Sequence, residues 1–273
     1  MSLNYKVLWV DDSPGWVDSM EGRVLGEAED IGLNCSIEKL QNGQDAIVKI
    51  CSRAYDLVLL DFKMPGKNGN EVINEVQSTS SLTEIIFYSE EPPKPLGSGE
   101  VLACDRRSFF ETVVEEMKSA YQRFKDLRVM RGRVIAASID IENLLDQLIV
   151  NYKKNGENDL LKSKVIDRGL LDFQKKIDIL ILILKDEIEI RGDEQENLKK
   201  YLAVLKEFSK EVIDHRNILA HSISSKSVNG KVFLKGLNKR TREISFDDDW
   251  LNTIRDNIDK HKENLYDLAG EIS

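Results

Sequence analysis

Three short apolar runs decide the fold: YKVLWV at residues 5–10, YDLVLL at 55–60 and EIIFY at 84–88. Amphipathic stretches around residues 16–31 and 44–53 separate them. Apolar runs of this length that alternate with helical patterns are typical of parallel strands covered by helices on both faces. The sequence therefore predicts an α/β doubly wound parallel sheet in the first part of the chain.

Acidic and hydroxyl side chains follow these runs directly. Asp11 and Asp12 come after the first run, Asp61 after the second and Ser89 after the third. In a doubly wound sheet the functional groups gather at the carboxyl ends of the strands, so these side chains should converge. Three carboxylates in one crevice repel one another, and hard oxygen ligands at this density favour Mg²⁺. The pattern predicts a magnesium site.

Composition and charge divide the chain into two parts. It has 273 residues, 41% of them hydrophobic and 32% charged, which predicts two globular domains. Residues 1–124 carry 12 basic and 21 acidic side chains, whereas residues 125–273 carry 27 of each. The acidic first part argues against nucleic-acid binding there. We therefore expect domains at 1–124 and 125–273.

Cysteine usage and hydropathy bear on the compartment. The three cysteines are widely spaced and form no C-x-x-C pair, which fits a reducing environment. The longest apolar run, residues 179–184, is far shorter than the roughly 20 residues that span a bilayer. We expect a cytoplasmic protein without a membrane segment.

The segments VLWVDDSP, LLDFKMPGKNGNEV and IIFYS together resemble the receiver domain of two-component response regulators, a CheY-like, flavodoxin-like fold. The spacing D-x-x-M-P-x-x-x-G that starts at Asp61 is specific, and the resemblance covers about residues 4–120. It implies that Asp61 accepts a phosphoryl group from a histidine kinase or a phosphotransfer protein. It also implies that Asp11, Asp12, Asp61 and the backbone carbonyl of Lys63 hold Mg²⁺.

Two further positions follow from the same resemblance. Ser89 matches the hydroxyl residue that turns towards the phosphoryl group. The family has a lysine at the end of strand five, where this chain offers Arg106 or Arg107, and the apolar positions of the following helix favour Arg106. The segment between Ser89 and Arg106 is short and rich in proline and glycine, which leaves little room for a fourth helix.

A connector follows the receiver-like part. From Phe110 to Tyr152, apolar residues recur at steps of three and four, interrupted only by Arg131 and Ser138. This pattern predicts one long helix of about 109–152, or two helices that abut near Gly132. A seam of this length indicates a parallel homodimer or a packed lever; a core stripe inside two separate bundles explains it equally well.

The second part reads as an all-α helical bundle with a small β-hairpin. Helical patterns cover 160–190 and 197–223, and a last helix begins after 247–249. Residues 232–237 and 242–246 predict the hairpin. We find no helix-turn-helix pattern with a basic recognition helix, so DNA binding is not expected.

The segment DHRNILAHS at 214–222 carries the candidate chemistry of this part. A regular helix turns 100° per residue, so Asn217 and His221 share a side while Arg216 lies about 140° from His221. His215 is expected to be a packing residue and His261 a solvent-exposed one.

The R-x4-H motif RNILAH in a helical domain resembles the HEPN superfamily over roughly residues 128–270. Many members are metal-independent ribonucleases that act at a dimer cleft. The resemblance implies that Arg216 stabilises the phosphate charge, Asn217 supports the site, and His221 serves in acid–base chemistry or orients the ribose 2′-hydroxyl.

These patterns together predict a response regulator whose Asp61 controls a HEPN-like effector. The first hypothesis makes that effector an endoribonuclease with RNA as its substrate. The alternative is a non-catalytic interaction module whose helical domain binds a protein partner. A third hypothesis is a receiver that is never phosphorylated and serves as a dimerisation scaffold.

Overall fold

The computed structural model describes residues 2–65, 67–76, 83–90, 102–152, 169, 171–191, 196–229, 231–236 and 243–272. The chain forms two compact units, residues 1–130 and 131–273. This division falls six residues beyond the boundary expected at 124. None of the described helices is both long and apolar enough to cross a bilayer.

The first unit alternates strands and helices along the chain. Its elements are β1 (Leu3–Val10), α1 (Pro14–Ile31), β2 (Leu33–Leu40), α2 (Gly43–Ser52), β3 (Leu57–Asp61), α3 (Gly69–Val76), β4 (Glu84–Ser89), β5 (Leu102–Asp105) and α4 (Phe109–Lys125). The strands pair in parallel in the order β2-β1-β3-β4-β5. The predicted doubly wound sheet is confirmed.

Burial explains why the apolar runs become strands. All five residues of β3 and the last four of β1 are buried, because helices cover both faces of the sheet. A continuous apolar run without alternation suits this position. The carboxyl ends of β1 and β3 lie side by side, with Val10 opposite Leu60.

Gly69, the glycine of the D-x-x-M-P-x-x-x-G spacing, is required by close packing. A Cβ at this position would lie 2.6 Å from Phe87 Cε1 and 3.1 Å from the Asp61 carbonyl oxygen. The first residue of α3 therefore packs directly against the end of β3, and any side chain larger than hydrogen would push the two apart.

The connector contains two helices, which agrees with the second of the two expected alternatives, but they do not meet near Gly132. After α4 ends at Lys125, α5 begins at Leu127 and runs to Asn151. Asp126 between them has an extended backbone, and its carboxylate accepts the Arg128 N–H at 2.8 Å. An aspartate at this position caps a new helix, so the break lies at Asp126 and Gly132 lies inside α5.

The second unit is mostly helical. After α5 come α6 (Phe173–Arg191), α7 (Glu196–Phe208), a π-helix (Ser209–Ile213), α8 (Asp214–His221), β6 (Ser222–Lys226), β7 (Val232–Gly236), β8 (Ile244–Ser245) and α9 (Asp248–Ile272). The antiparallel sheet has the order β6-β7-β8, so a third strand joins the predicted hairpin. The helix expected to reach residue 223 ends at His221.

Two expectations lie outside the described residues. The expectation of little room for a fourth helix concerns residues 91–101, and the start of the helix predicted at 160–190 falls on residues 160–168.

Gly69→Ala should destabilise the first unit by about 1–3 kcal/mol, because the added methyl group overpacks the contact with Phe87 and Asp61. Chemical denaturation followed by circular dichroism measures the change. Gly22→Ala is the matched control: Gly22 lies within α1 with nothing within 4 Å of its Cβ position, so this variant should be neutral or gain up to about 1 kcal/mol. A Gly69→Ala protein as stable as the wild type would contradict the packing argument.

Candidate functional site

Three carboxylates meet at the carboxyl edge of the parallel sheet. Asp11 follows β1 and Asp61 ends the neighbouring β3, and one oxygen each from Asp11, Asp12 and Asp61 lies within 4.8 Å of the others. Asp11 is 1% exposed and Asp61 4% exposed, whereas Asp12 is open to solvent. This donor set of close oxygens fits a divalent cation such as Mg²⁺.

Burial controls the electrostatics of Asp61. Burial removes water from the Asp61 carboxyl, and the negative charge of Asp11 lies nearby. Both effects raise the pKa of Asp61, to about 6. The backbone N–H of Lys63, which lies 3.4 Å from Asp61 Oδ1, and the cation of Arg106 act in the opposite direction. The ionised form of Asp61 is therefore costly even with the cation of Arg106 beside it.

Arg106 supplies a positive charge to this edge. Its Nη2 lies 3.4 Å from Asp11 Oδ2 and 3.5 Å from Asp61 Oδ2. Its guanidinium stacks over the Trp16 ring at 4.7 Å, which fixes the plane of the group. Arg107 is exposed and takes no part in these contacts. Of the two arginines that the sequence left open, Arg106 is the one beside the carboxylates.

Ser89 and Lys63 complete the set of residues predicted at this edge. Ser89 is the last residue of β4 and is 1% exposed, and its carbonyl accepts the backbone N–H of Arg106 at 3.0 Å. This bond ties the end of β4 to the residue that follows β5. Lys63 lies two residues after Asp61 with an exposed side chain, and binding of Mg²⁺ by its carbonyl stays a prediction.

Two further residues at this edge, Trp9 and Tyr88, were not predicted from the sequence. Tyr88 donates its hydroxyl to Asp11 Oδ2 at 2.7 Å, and the Trp9 indole N–H donates to the same hydroxyl at 2.7 Å. Burial and the nearby carboxylate of Asp11 raise the pKa of Tyr88 well above its ordinary value, so the hydroxyl keeps its proton. A tyrosine in a buried strand is itself a signal, because its hydroxyl needs a partner.

The second group of predicted residues lies on α8. Arg216 is partly buried, Asn217 and His221 are exposed, and Arg216 Nη1 donates to Asn217 Oδ1 at 3.3 Å. Within the described part of the chain, no hydrogen bond joins Arg216 to His221. The structure therefore pairs Arg216 with Asn217, and His221 lies in the last turn of the helix.

Arg131, which interrupts the apolar pattern of the connector, has a role at the end of α8. Its Nη2 donates to the carbonyl of Ser222 at 2.7 Å. A cation suits this place, because the carbonyl groups at a helix C-terminus carry partial negative charge. The interruption in the sequence pattern thus marks a contact that secures the residue after His221.

Glu211 in the π-helix organises the entry to α8. Its Oε2 lies 2.8 Å from His261 Nε2 and 2.7 Å from Lys260 Nζ, and its carbonyl oxygen lies 3.0 Å from His215 Nδ1. His261 is fully buried, so the expectation of an exposed histidine is wrong. Burial lowers the pKa of His261, whereas the hydrogen bond and the negative charge of Glu211 act to raise this pKa.

Asp61→Asn should stabilise the metal-free protein at neutral pH. The pKa of Asp61 is about 6 in the fold against an ordinary value of 3.8, so the folded state loses stability as pH rises between these values. A shift of this size corresponds to up to about 3 kcal/mol. Melting temperatures with a chelator present should favour the variant at pH 8 and converge with the wild type near pH 4.

Asp12→Asn is the control for this comparison. The Asp12 carboxylate is exposed, so its removal should change the melting temperature much less. Equal melting temperatures of wild type and Asp61→Asn at pH 8 would mean that burial of Asp61 carries no penalty.

Comparison with known proteins finds one family model and several curated relatives. Residues 7–97 match the family model of the response regulator receiver domain. The uncharacterized transcriptional regulatory protein YesN of Bacillus subtilis is 30% identical over 170 residues, which cover 61% of this chain and 41% of that protein. The transcriptional regulatory protein CiaR of Streptococcus pneumoniae is 25% identical over 183 residues, covering 67% and 73%.

The similar solved structures each cover between 32% and 45% of this chain. The response regulator TrrA of Thermotoga maritima, in complex with Mg²⁺ and BeF, is 31% identical and covers 32% of this chain and 70% of its own, with a TM-score of 0.29. The chain spans less than half the length of the YesN relative. The first unit of the chain contains a response regulator receiver domain.

Proposed function

We propose that the protein acts as a two-component response regulator and is phosphorylated on Asp61 by a histidine kinase or a phosphotransfer protein. The observation that carries the proposal is the cluster at the sheet edge: a buried carboxylate with Arg106 Nη2 at 3.5 Å and two further aspartates beside it. A structure of TrrA with the histidine kinase ThkA supports a kinase as the partner.

The acceptor chemistry follows from the charges at the site. Mg²⁺ held by Asp11, Asp12, Asp61 and the Lys63 carbonyl would neutralise the carboxylates and the phosphoryl oxygens. An Asp61 oxygen attacks phosphorus, the phosphorus–nitrogen bond of a donor phosphohistidine breaks, and the imidazole takes a proton from solvent. Arg106 pairs with a phosphoryl oxygen in place of its present contact with Asp61, and the Ser89 hydroxyl donates to another.

Incubation with acetyl phosphate and Mg²⁺ should add one phosphoryl group, seen by intact-mass spectrometry. Asp61→Asn should lose this product entirely, because the amide is not a nucleophile. Asp18→Asn, which alters an exposed carboxylate on α1, should be phosphorylated like the wild type. Absence of product from the folded wild type, together with no uptake of beryllofluoride, would favour the unphosphorylated scaffold.

For the second unit we propose a HEPN-like effector controlled by the receiver, which cleaves RNA as a homodimer. The support is an R-x4-H helix whose Asn217 and His221 are exposed, with Arg131 and Glu211 securing its two ends. The ribose 2′-hydroxyl would attack phosphorus while the bond to the 5′-oxygen breaks. His221 transfers the proton of the 2′-hydroxyl towards the leaving 5′-oxygen, and Arg216 balances the negative charge of the phosphate.

Along the regular helix α8, Arg216 lies about 140° from His221, which favours a second candidate. If a partner subunit does not complete the cleft, α8 serves as a docking surface for a protein and carries no chemistry. This alternative needs the same exposed side chains but no proton transfer.

His221→Ala should abolish RNA cleavage while the fold is kept, because His221 is exposed at the end of α8. The assay compares labelled RNA with wild type, His221→Ala and the control Glu189→Gln, which alters an exposed side chain of α6 outside the proposed site. Each is tested with and without acetyl phosphate and Mg²⁺. Cleavage that survives in His221→Ala, or no cleavage by a wild type shown to be phosphorylated, would favour the docking surface.

A further inference from the structure

A buried chain of hydrogen bonds runs from the sheet to the acidic cluster. The Trp9 indole N–H donates to the Tyr88 hydroxyl at 2.7 Å, and that hydroxyl donates to Asp11 Oδ2 at 2.7 Å. Trp9 and Tyr88 are 0% exposed and Asp11 is 1% exposed. Bonds of this length between buried groups are strong, since no water competes with them.

Asp11 is held at both of its oxygens. Oδ1 accepts the backbone N–H of Ser13 at 2.7 Å, while Oδ2 accepts from Tyr88 and lies 3.4 Å from Arg106 Nη2. These contacts fix the rotation of the carboxylate and leave its remaining lone pairs for a cation. The neighbouring Asp12 is open to solvent, so Asp11 is the more constrained of the two acids.

Aromatic packing fixes the tyrosine in turn. The Tyr88 ring lies 4.6 Å from Phe109 and 5.1 Å from Trp16, between ring centroids. Trp9 packs against the same two rings, at 5.3 Å from Phe109 and 5.8 Å from Trp16. With the ring enclosed on these sides, its hydroxyl has one direction available, which is the direction of Asp11.

We propose that Tyr88 is a positioning residue for Mg²⁺ binding and that it couples the ligand state of Asp11 to Trp9 within the sheet. This inference rests on the proposed function of the acidic cluster. A hydrogen-bond donor behind a metal-binding carboxylate orients it, and loss of such a donor typically costs 10–100-fold in metal affinity. Tyr88 also directly precedes Ser89 on β4, so a displacement of the backbone at one residue displaces the other.

The first measurement is Mg²⁺ affinity of the full chain by isothermal titration calorimetry. Tyr88→Phe keeps the ring and removes the hydroxyl, and we expect about tenfold weaker binding. Tyr5→Phe is the matched control. Tyr5 lies on β1, is equally buried, and its hydroxyl has no hydrogen-bond partner among the described residues, so its removal should leave the affinity unchanged.

The second measurement separates positioning from a merely structural effect. The chain has three tryptophans, so its indole N–H groups give three signals in a ¹H–¹⁵N spectrum, assigned by Trp→Phe variants. In the wild type, Mg²⁺ should shift the signals of Trp9, through Tyr88, and of Trp16, through Arg106. In Tyr88→Phe the Trp9 signal should no longer respond at saturating Mg²⁺, while the Trp16 signal still does.

The outcomes separate this inference from the proposed function. A wild type that binds no Mg²⁺ contradicts the proposed function itself. A wild type that binds, with Tyr88→Phe binding equally well or its Trp9 signal still shifting, overturns the role of Tyr88 alone. Should Tyr88→Phe fail to fold, Trp9→Phe removes the donor that fixes the hydroxyl, and unchanged Mg²⁺ affinity in that variant overturns the proposal.

Discussion

The repulsion between the carboxylates of Asp11 and Asp61 is the constraint on which the first unit depends. Their oxygens lie within 4.8 Å of each other in a site that excludes most water. Two unit charges at such a separation repel by roughly 3 kcal/mol at an effective dielectric constant of about 20. The sheet imposes this proximity, since β1 and β3 are neighbours and run in parallel. Two groups offset this repulsion. Arg106 places a positive charge near both acids, and the Tyr88 hydroxyl donates a hydrogen bond to Asp11.

The positions of the strand ends in the sequence were sufficient to locate the acidic residues of the site but not the residues that contact them. Asp11, Asp61 and Ser89 follow apolar runs, so the position of a strand end in the sequence locates them. The apolar positions of the following helix favoured Arg106 over Arg107, but its contact with the carboxylates follows only from the register of β5 against β4. Tyr88 and Trp9 meet across the sheet from positions 79 residues apart, a pairing that no local pattern encodes.

Predictions from helical periodicity were wrong at positions where a side-chain hydrogen bond decides the local structure. The heptad spacing continues through Asp126, yet an aspartate that bonds the N–H two residues on begins a new helix there. His261 illustrates the reverse case. Its place on an amphipathic helix suggested exposure, but His261 is buried and Glu211 from the π-helix supplies a partner for its ring nitrogen. A π-helix shifts the faces of the helices on either side of it, so the apolar stripe of α7 does not continue in register into α8. Arg216 and His221 both lie within α8, and the angle expected between them applies there.

The contact of Gly69 with Phe87 and the Asp61 carbonyl has a consequence for how such sequences are recognised. Gly69 is required by the packing of a helix start against a strand end, whereas the three aspartates are required by the proposed phosphoryl transfer. The two requirements are physically independent. A chain that lost the proposed reaction could replace its acids but would still need the glycine to pack α3 against β3. The glycine of the motif is therefore evidence of shape, and the acids alone are evidence of chemistry.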